Sequence, residues 1–344
     1  MKPSINRRTF LARGAVASAG FYSMTVADTL GATPAKEQAP LSPVIPNHRG
    51  SLPVGKIGKT TLSRLIAGGN LLSGWCHQRD LLFVAKLAAA YLTERKQFDT
   101  LQLFEEVGIN SIVIDLMQLD ILNRYKKERG GKIRAVVSVR EDWGDWDNPS
   151  WKALQTQIRQ TIDKGPDLLY LHGGYSDRLV QRAKPGSMEI MAKALAYMRE
   201  QGFSAGVGAH ALEVLRACDK DAIKPDFFVK TFHHDGYWSA TPRDRRKPFC
   251  VDGPRSLDHN EFHDNIFCLD PEGTAEFMLE QTVPWIAFKV LAAGAIPPAS
   301  AFQYAFENGV DFVAVGMFDF EVNDDVQALR KTLDGLQRER PWCG

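Results

Sequence analysis

From about residue 60 onward, short runs of apolar and β-branched residues alternate with longer stretches in which apolar residues return every three or four positions. Short apolar runs mark strands, and the three-to-four spacing marks a helix with one buried face. The strand-like runs fall at 64–69, 111–115, 134–139, 168–172, 204–208, 226–231, 285–290 and 311–316. The helical stretches fall at 98–107, 151–164, 188–201, 271–281, 299–308 and 324–336. Gly108, Gly202 and Gly309 stand just past three of these helices and close to the next strand, where a left-handed residue ends a helix. Strands alternating with helices are joined by parallel crossovers, and eight of them close a barrel. The predicted fold is α/β, a (β/α)8 TIM barrel. A doubly wound open sheet shares the alternation, but no Gly-rich phosphate turn in dinucleotide spacing follows the first strand. Segment 233–270, after strand six, has little periodicity and reads as a long binding loop or lid.

The first fifty residues lack this pattern. Asn6-Arg7-Arg8-Thr9-Phe10-Leu11 sets two arginines before an apolar pair, and residues 14–22 form a short stretch rich in small apolar residues. That combination reads as a twin-arginine export signal, too short to span a bilayer as a stable helix. No cysteine follows it closely enough for a lipid anchor. The expected organisation is a signal peptide at 1–32, a Pro- and Gly-containing linker at 33–52 and one barrel domain at 53–344. The expectation is a periplasmic or otherwise exported protein, with the twin-arginine translocase as a partner during export and no stable membrane anchor. Because that route carries folded proteins, it raises the expectation of a bound cofactor.

Composition changes this picture little. The chain has 344 residues, 44% hydrophobic and 24% charged, with a net charge of +1, which suits an ordinary globular domain. The one dense basic run, Arg243, Arg245, Arg246 and Lys247, is short and has acidic neighbours, so nucleic acid is not an expected partner. Five cysteines (Cys76, Cys218, Cys250, Cys268 and Cys343) are too few for a disulfide scaffold. Cys250 and Cys268 are the pair expected to staple the long loop, with a zinc site using His259 and His263 as the rival.

In a TIM barrel the chemistry sits at the C-terminal ends of the strands. There the sequence places Asn70, Asp115, Arg140-Glu141, His172, His210, Lys230 with His233-His234, Lys289 and Asp319. Imidazoles from three successive strands beside a carboxylate suit a divalent transition metal, Zn, Mn, Fe, Co or Ni, and the expected ligands are Asp115, His172, His210 and His233. The rival is metal-free, with one histidine as general acid/base and the others binding substrate hydroxyls. Lys230 and Lys289, on otherwise apolar strands, read as desolvated amines able to act as base, electrostatic stabiliser or Schiff-base former. With Glu141 and His172 they complete the expected catalytic set. Asn70, Trp75, His77, Arg79, His234, Tyr237 and Trp238 lie in loops after strands one and six; aromatic faces beside hydrogen-bonding groups suit a sugar ring.

Residues 54–69, Val-Gly-Lys-Ile-Gly-Lys-Thr-Thr-Leu-Ser-Arg-Leu-Ile-Ala-Gly-Gly, resemble the opening of an aldo/keto reductase, a short hairpin leading into strand one. The resemblance continues through 107–115, 167–172 and 202–208 as spaced matches over most of the barrel. It implies that Asp115 and His172 stand where that family has its catalytic Asp and His. The tyrosine position, five residues beyond Asp115, holds Asp120, and the lysine position offers Ser138 or Arg140. The Gly-x-Ser-Asn that binds the nicotinamide carboxamide is replaced by Gly206-Val207-Gly208-Ala209 and then His210, and the strand-six glutamine and stacking tyrosine by Lys230 and His233. The expected protein is a metal-assisted lyase or isomerase acting on a carbohydrate or related polyhydroxy or keto compound. Its alternatives are an NADP-dependent oxidoreductase using Asp115 and His172, and a non-catalytic sugar-binding barrel.

Overall fold

A hairpin of β1 (Val54–Ile57) and β2 (Thr60–Ser63) brings the chain to β3 (Leu65–Gly68), the first strand of a closed parallel barrel. β4 (Ser111–Asp115), β5 (Arg134–Val139), β6 (Leu168–Leu171), β7 (Ala205–Ala209), β8 (Phe227–Thr231), β9 (Trp285–Phe288) and β10 (Phe312–Val315) follow in order, and β10 pairs back onto β3. The structure, a computed structural model, describes residues 42–77, 81, 83–141, 148–249 and 267–344. Arg79, Cys250, His259 and His263 lie outside the described residues, and with them the loop disulfide and the second metal site. Val44–Gly344 forms one compact unit, so the part of the expected linker from Val44 onward belongs to the barrel unit. There Leu52 is buried, and Asn47 N–H donates to Asn323 Oδ1 at 3.0 Å. Among the described residues no helix is long and apolar enough to cross a membrane.

Strand alternation sorts the side chains into two layers. Ile66, Val136, Leu168, Tyr170, Phe227, Val229, Ile286 and Phe312 form one cluster, the barrel interior. Their strand neighbours Ala67, Val137, Leu169, Leu171, Phe228 and Ala287 join the larger cluster under the helices. Burying a side chain of Ile, Leu or Phe size stabilises the fold by about 1.5–3 kcal/mol.

The outer helices are α1 (Phe83–Tyr91), α2 (Glu94–Glu106), α3 (Leu116–Arg129), α4 (Trp151–Asp163), α5 (Gly173–Arg182), α6 (Ser187–Glu200), α7 (Leu212–Lys220), α8 (Pro271–Leu279), α9 (Pro298–Glu307) and α10 (Asp319–Asp334). Thr93, Ser150 and Asp270 cap α2, α4 and α8 through their side-chain oxygens.

One device recurs at the opposite, N-terminal face. The residue just before each even-numbered barrel strand is Asn110, Asp167, Asp226 or Asp311, and each accepts a backbone N–H at, or shortly before, the start of the preceding barrel strand. The donors are Ser63 (2.8 Å), Ala135 (2.7 Å), Ala205 (2.7 Å) and Trp285 (3.0 Å). These contacts satisfy amides that the sheet leaves over at its rim.

Candidate functional site

By the same alternation, Asp115, Arg140, His172, His210 and Phe288 continue the interior face upward to the C-terminal mouth. His210 is the most constrained of them. Its Nδ1 lies 2.7 Å from Asp177 Oδ2 in α5, and the Asp177 carboxylate also accepts the backbone N–H of His210 and of Ala211. Both residues are 7% exposed. A carboxylate on Nδ1 fixes the tautomer and makes Nε2 the acid–base nitrogen. Gly173 lies close beside it, and a Cβ there would stand a tight 3.1 Å from the His210 ring. The ring rests edge-on against Phe288, with centroids 5.3 Å apart.

His172 follows β6. Its imidazole is held well below the ordinary range by burial, and then by the charges of Arg140, His210 and Lys289. His77, from the loop after β3, is pushed down to about 2, first by burial and then by Lys289 and His210. Both are neutral at physiological pH. His77 sits between Trp75 (4.4 Å between centroids) and Phe267 (4.6 Å), and its Nε2 is a buried atom without a hydrogen-bond partner among the described residues.

Lys289 reaches this group by a backbone anomaly. Trp285 and Ala287 face outward and Ile286 and Phe288 inward, so an ordinary strand continuation would turn Lys289 toward the helices. Instead Lys289 has φ +58°, and its Nζ lies 4.0 Å from the centre of the Phe267 ring. Ala292 (+46°) and Ala293 (+55°) in the same loop are also left-handed. Each such residue costs about 1–2 kcal/mol.

The remaining expected site residues are placed elsewhere. Lys230 shares the outer face with Phe228, is 1% exposed, and donates to Thr231 O (2.8 Å) and Oγ1 (3.1 Å) under the helix layer. Glu141 also faces outward, where its Oε1 accepts from Tyr175 OH and Ser150 N, each at 2.6 Å. Neither is directed into the mouth, because each stands at a strand position of the wrong parity. His233 is buried with both ring nitrogens engaged: Nδ1 donates to His234 O (2.8 Å), and Nε2 accepts the N–H of both Phe267 and Cys268 (3.0 Å each). That makes it a clamp on the long loop rather than a metal ligand. Asp115 caps α3, taking the N–H of Met117 and Gln118 on Oδ1, while Oδ2 lies 3.9 Å from Arg140. His234 Nε2 lies 3.1 Å from Ser300 Oγ. Tyr237 packs edge-on to His233 at 5.8 Å, Trp238 is 93% exposed, and Asn70 organises the turn after β3 through its carbonyl.

Of the four expected metal ligands, His233 and Asp115 are thus committed to the protein's own backbone. Among the described residues no group of three or more His, Cys, Asp or Glu side chains is arranged to hold a metal. A nicotinamide dinucleotide fits no better. A Cβ on Gly206 would fall 2.6 Å from the Phe227 ring, and one on Gly208 2.5 Å from Leu171 O and 3.0 Å from the Tyr170 ring. The small strand-five residues therefore make room for protein side chains. The first turns after strands seven and eight, a usual phosphate site in this fold, carry Pro298 on one side and Asp319 and Glu321 on the other. A proline offers no N–H, and at the start of α10 Glu321 Oε2 already takes the N–H of Phe318 at 2.8 Å.

Sequence reasoning missed Asp177 and Tyr170. Tyr170 stands in the interior two residues before His172, in hydrogen-bond contact with Ser138, and burial raises its hydroxyl above the ordinary range. The sequence signal for Asp177 was its place five residues after a strand-end histidine, one helical turn into α5.

No family model matches the sequence, and no curated protein matches it. Among solved structures, the chain is similar to a protein assigned to the aldo-keto reductases from Pseudomonas aeruginosa, at 16% identity, 84% coverage of this chain and 99% of that one, with a TM-score of 0.55. A second structure so assigned from that organism gives 17% identity, 82% and 94% coverage and a TM-score of 0.51. A variant of Gox0644 in complex with NADPH gives 14%, 85% and 98%, with a TM-score of 0.46. At these identities the likeness establishes architecture alone. The fold is an aldo-keto reductase-like (β/α)8 barrel.

Proposed function

We propose that the mouth is the active site of an exported enzyme that moves a proton on a carbonyl-bearing polyhydroxy compound, a lyase or isomerase working without a metal. The observation that carries this reading is the 2.7 Å contact between His210 Nδ1 and Asp177. With its tautomer fixed, His210 Nε2 removes a proton from carbon next to the carbonyl and returns it during breakdown or isomerisation. Charge developing on the carbonyl oxygen faces Arg140 and Lys289, whose proximity is registered in the lowered His172. The neutral imidazoles of His172 and His77 serve as hydrogen-bonding groups for substrate hydroxyls, with Trp75 as an aromatic wall. The twin-arginine motif at Arg7-Arg8 supports export of the folded chain.

The test is solvent-deuterium exchange into a panel of keto-sugars and uronates, followed by mass spectrometry. Wild-type protein exchanges a carbon-bound proton, and Asp177→Asn loses about 10²–10⁴-fold of that rate, the ordinary worth of a positioned acid/base group. Stoichiometric transition metal in protein never exposed to chelator, lost in His210→Ala, would overturn the metal-free reading. Binding without exchange or turnover would leave a sugar-binding barrel. Saturable quenching of tryptophan fluorescence by NADPH would restore the oxidoreductase.

A further inference from the structure

We infer that Lys289 is a covalent catalyst, forming an imine with the carbonyl carbon of an aldehyde or ketone substrate at the barrel mouth. The inference rests on the site assigned above and adds an electron sink to it. Its first support is placement: by strand alternation Lys289 belongs under the helices, yet a left-handed backbone at φ +58° turns its amine back over the mouth. Three of the six non-glycine left-handed residues among the described residues lie in this one loop, Lys289, Ala292 and Ala293. Local strain of this kind gathers where a side chain is held for function. Lys230 is the internal contrast, a lysine on the neighbouring strand that stays on the outer face and bonds Thr231.

The second support is the surroundings. Nζ rests 4.0 Å from the centre of the buried Phe267 ring and 5.9 Å from that of the half-buried Phe288, an apolar lining on two sides of the amine. Lys289 is also close enough to His77 and His172 to disfavour their protonation, so two neutral imidazoles stand beside the amine as hydrogen-bonding groups. The chemistry balances without a co-reactant. The Lys289 ammonium gives a proton to His210 Nε2, and the amine attacks the carbonyl carbon. The carbinolamine then takes that proton back onto oxygen and loses it as water. In sum, one carbonyl and one lysine ammonium become one protonated imine, with a carbon–nitrogen double bond in place of the carbon–oxygen one, and one molecule of water. The iminium next accepts the electron pair of the adjacent C–H or C–C bond.

Reductive trapping tests this on the full chain. Protein is incubated with pyruvate or dihydroxyacetone, reduced with borohydride, and digested for peptide mass spectrometry. We expect the reduced adduct on Lys289 to form about tenfold or more faster than on the exposed Lys86 and Lys132, for at least one probe, as a positioned nucleophile should. Lys289→Arg, which keeps the charge, abolishes that adduct while its circular dichroism matches wild type. Labelling of Lys289 no faster than Lys86 with both probes overturns the inference. If deuterium exchange depends on Asp177 but Lys289 is not trapped, the proton-transfer reading stands and the imine falls. If Lys289 is trapped and exchange ignores Asp177→Asn, the imine stands and the base assignment falls.

Discussion

Replacing His233 by alanine should uncouple the end of the long loop from strand six. His233 is 1% exposed, and its Nε2 is the acceptor for two buried backbone donors, Phe267 N and Cys268 N, at 3.0 Å each. Each buried N–H left without an acceptor costs about 1–3 kcal/mol, and the vacated ring leaves a cavity, so the expected loss is about 3–5 kcal/mol. With unfolding entropy of about 2.1 cal/mol/K per residue over roughly 300 residues, that lowers Tm by about 5–8 °C. His233→Gln, whose Oε1 can accept, recovers part of the loss. Acid provides a second readout. Burial, ahead of the charge of Lys230, holds the His233 imidazole down to about 3 from an ordinary 6.5. A group depressed on folding stabilises fully above its unfolded value and loses that contribution as pH falls toward its folded value. For His233 the window runs from about pH 6.5 down to about 3, where the unfolded chain takes up the proton first. The full span is on the order of 5 kcal/mol. Thermal melts by circular dichroism between pH 7.5 and 4 should therefore show a shallower acid slope in His233→Gln than in wild type. A His233→Ala variant melting within a degree of wild type, with an unchanged acid slope, would refute the clamp.

Two further outcomes follow from buried charges elsewhere. Lys96 and Asp319 form an ion pair, 5% and 2% exposed, with Tyr91 OH donating to Asp319 Oδ1 at 2.6 Å. Lys96→Met should cost about 3–5 kcal/mol in urea unfolding by stranding the carboxylate, and adding Asp319→Asn should restore much of it; equal losses in single and double variants would dismiss the coupling. Asp325, 4% exposed, has its carboxyl raised to about 7, first by burial and then by Glu321 and Asp324. Stability from its protonated form is whole below about pH 3.8 and drains away as pH rises to about 7, so Asp325→Asn should stabilise by about 2–4 kcal/mol at pH 8 and by nearly nothing at pH 4. A uniform effect across that range would contradict the assignment.

The barrel was legible because its strands are short apolar runs that no helix period imitates. The predicted ranges at 111–115 and 134–139 coincide with β4 and β5, and the others differ by one or two residues. Strand seven ends early, at Phe288 rather than 290, because Lys289 leaves the extended region. The helices α1, α3, α5 and α7 do not stand out in the sequence pattern. In α3 only Gln118, Leu119, Leu122 and Tyr125 are buried, too sparse a stripe to read, and α5 opens on two glycines. At the site, His172, His210 and Lys289 were visible as polar residues at strand ends, and His77 as a residue of the loop after strand one. What sequence could not supply was parity at the rim, where one position decides between mouth and helix layer. Lys230 and Glu141 fell on the far side of that divide and Lys289 crossed it by a twist of its own backbone. His233 has the right residue type in the right place, but loop donors too distant in sequence to foresee occupy its nitrogens.

The four Asn and Asp contacts at the foot of the barrel divide the cylinder into four modules of two strands each. Within a module one Asn or Asp ties the foot of one strand to the chain entering its neighbour, while across the boundaries other side chains reach over, as when Arg134 Nη1 donates to Thr61 O and Arg64 Nη1 to Asp311 O. A chain reopened at a module boundary, such as the turn at Gly130 and Gly131 before β5, and rejoined end to end would keep every one of the Asn and Asp ties. Reopening inside a module, between α4 and Asp167, would separate Asp167 from Ala135 in the chain. The molecule thus carries at its base a record of where it can be cut, independent of whatever chemistry occupies the other end.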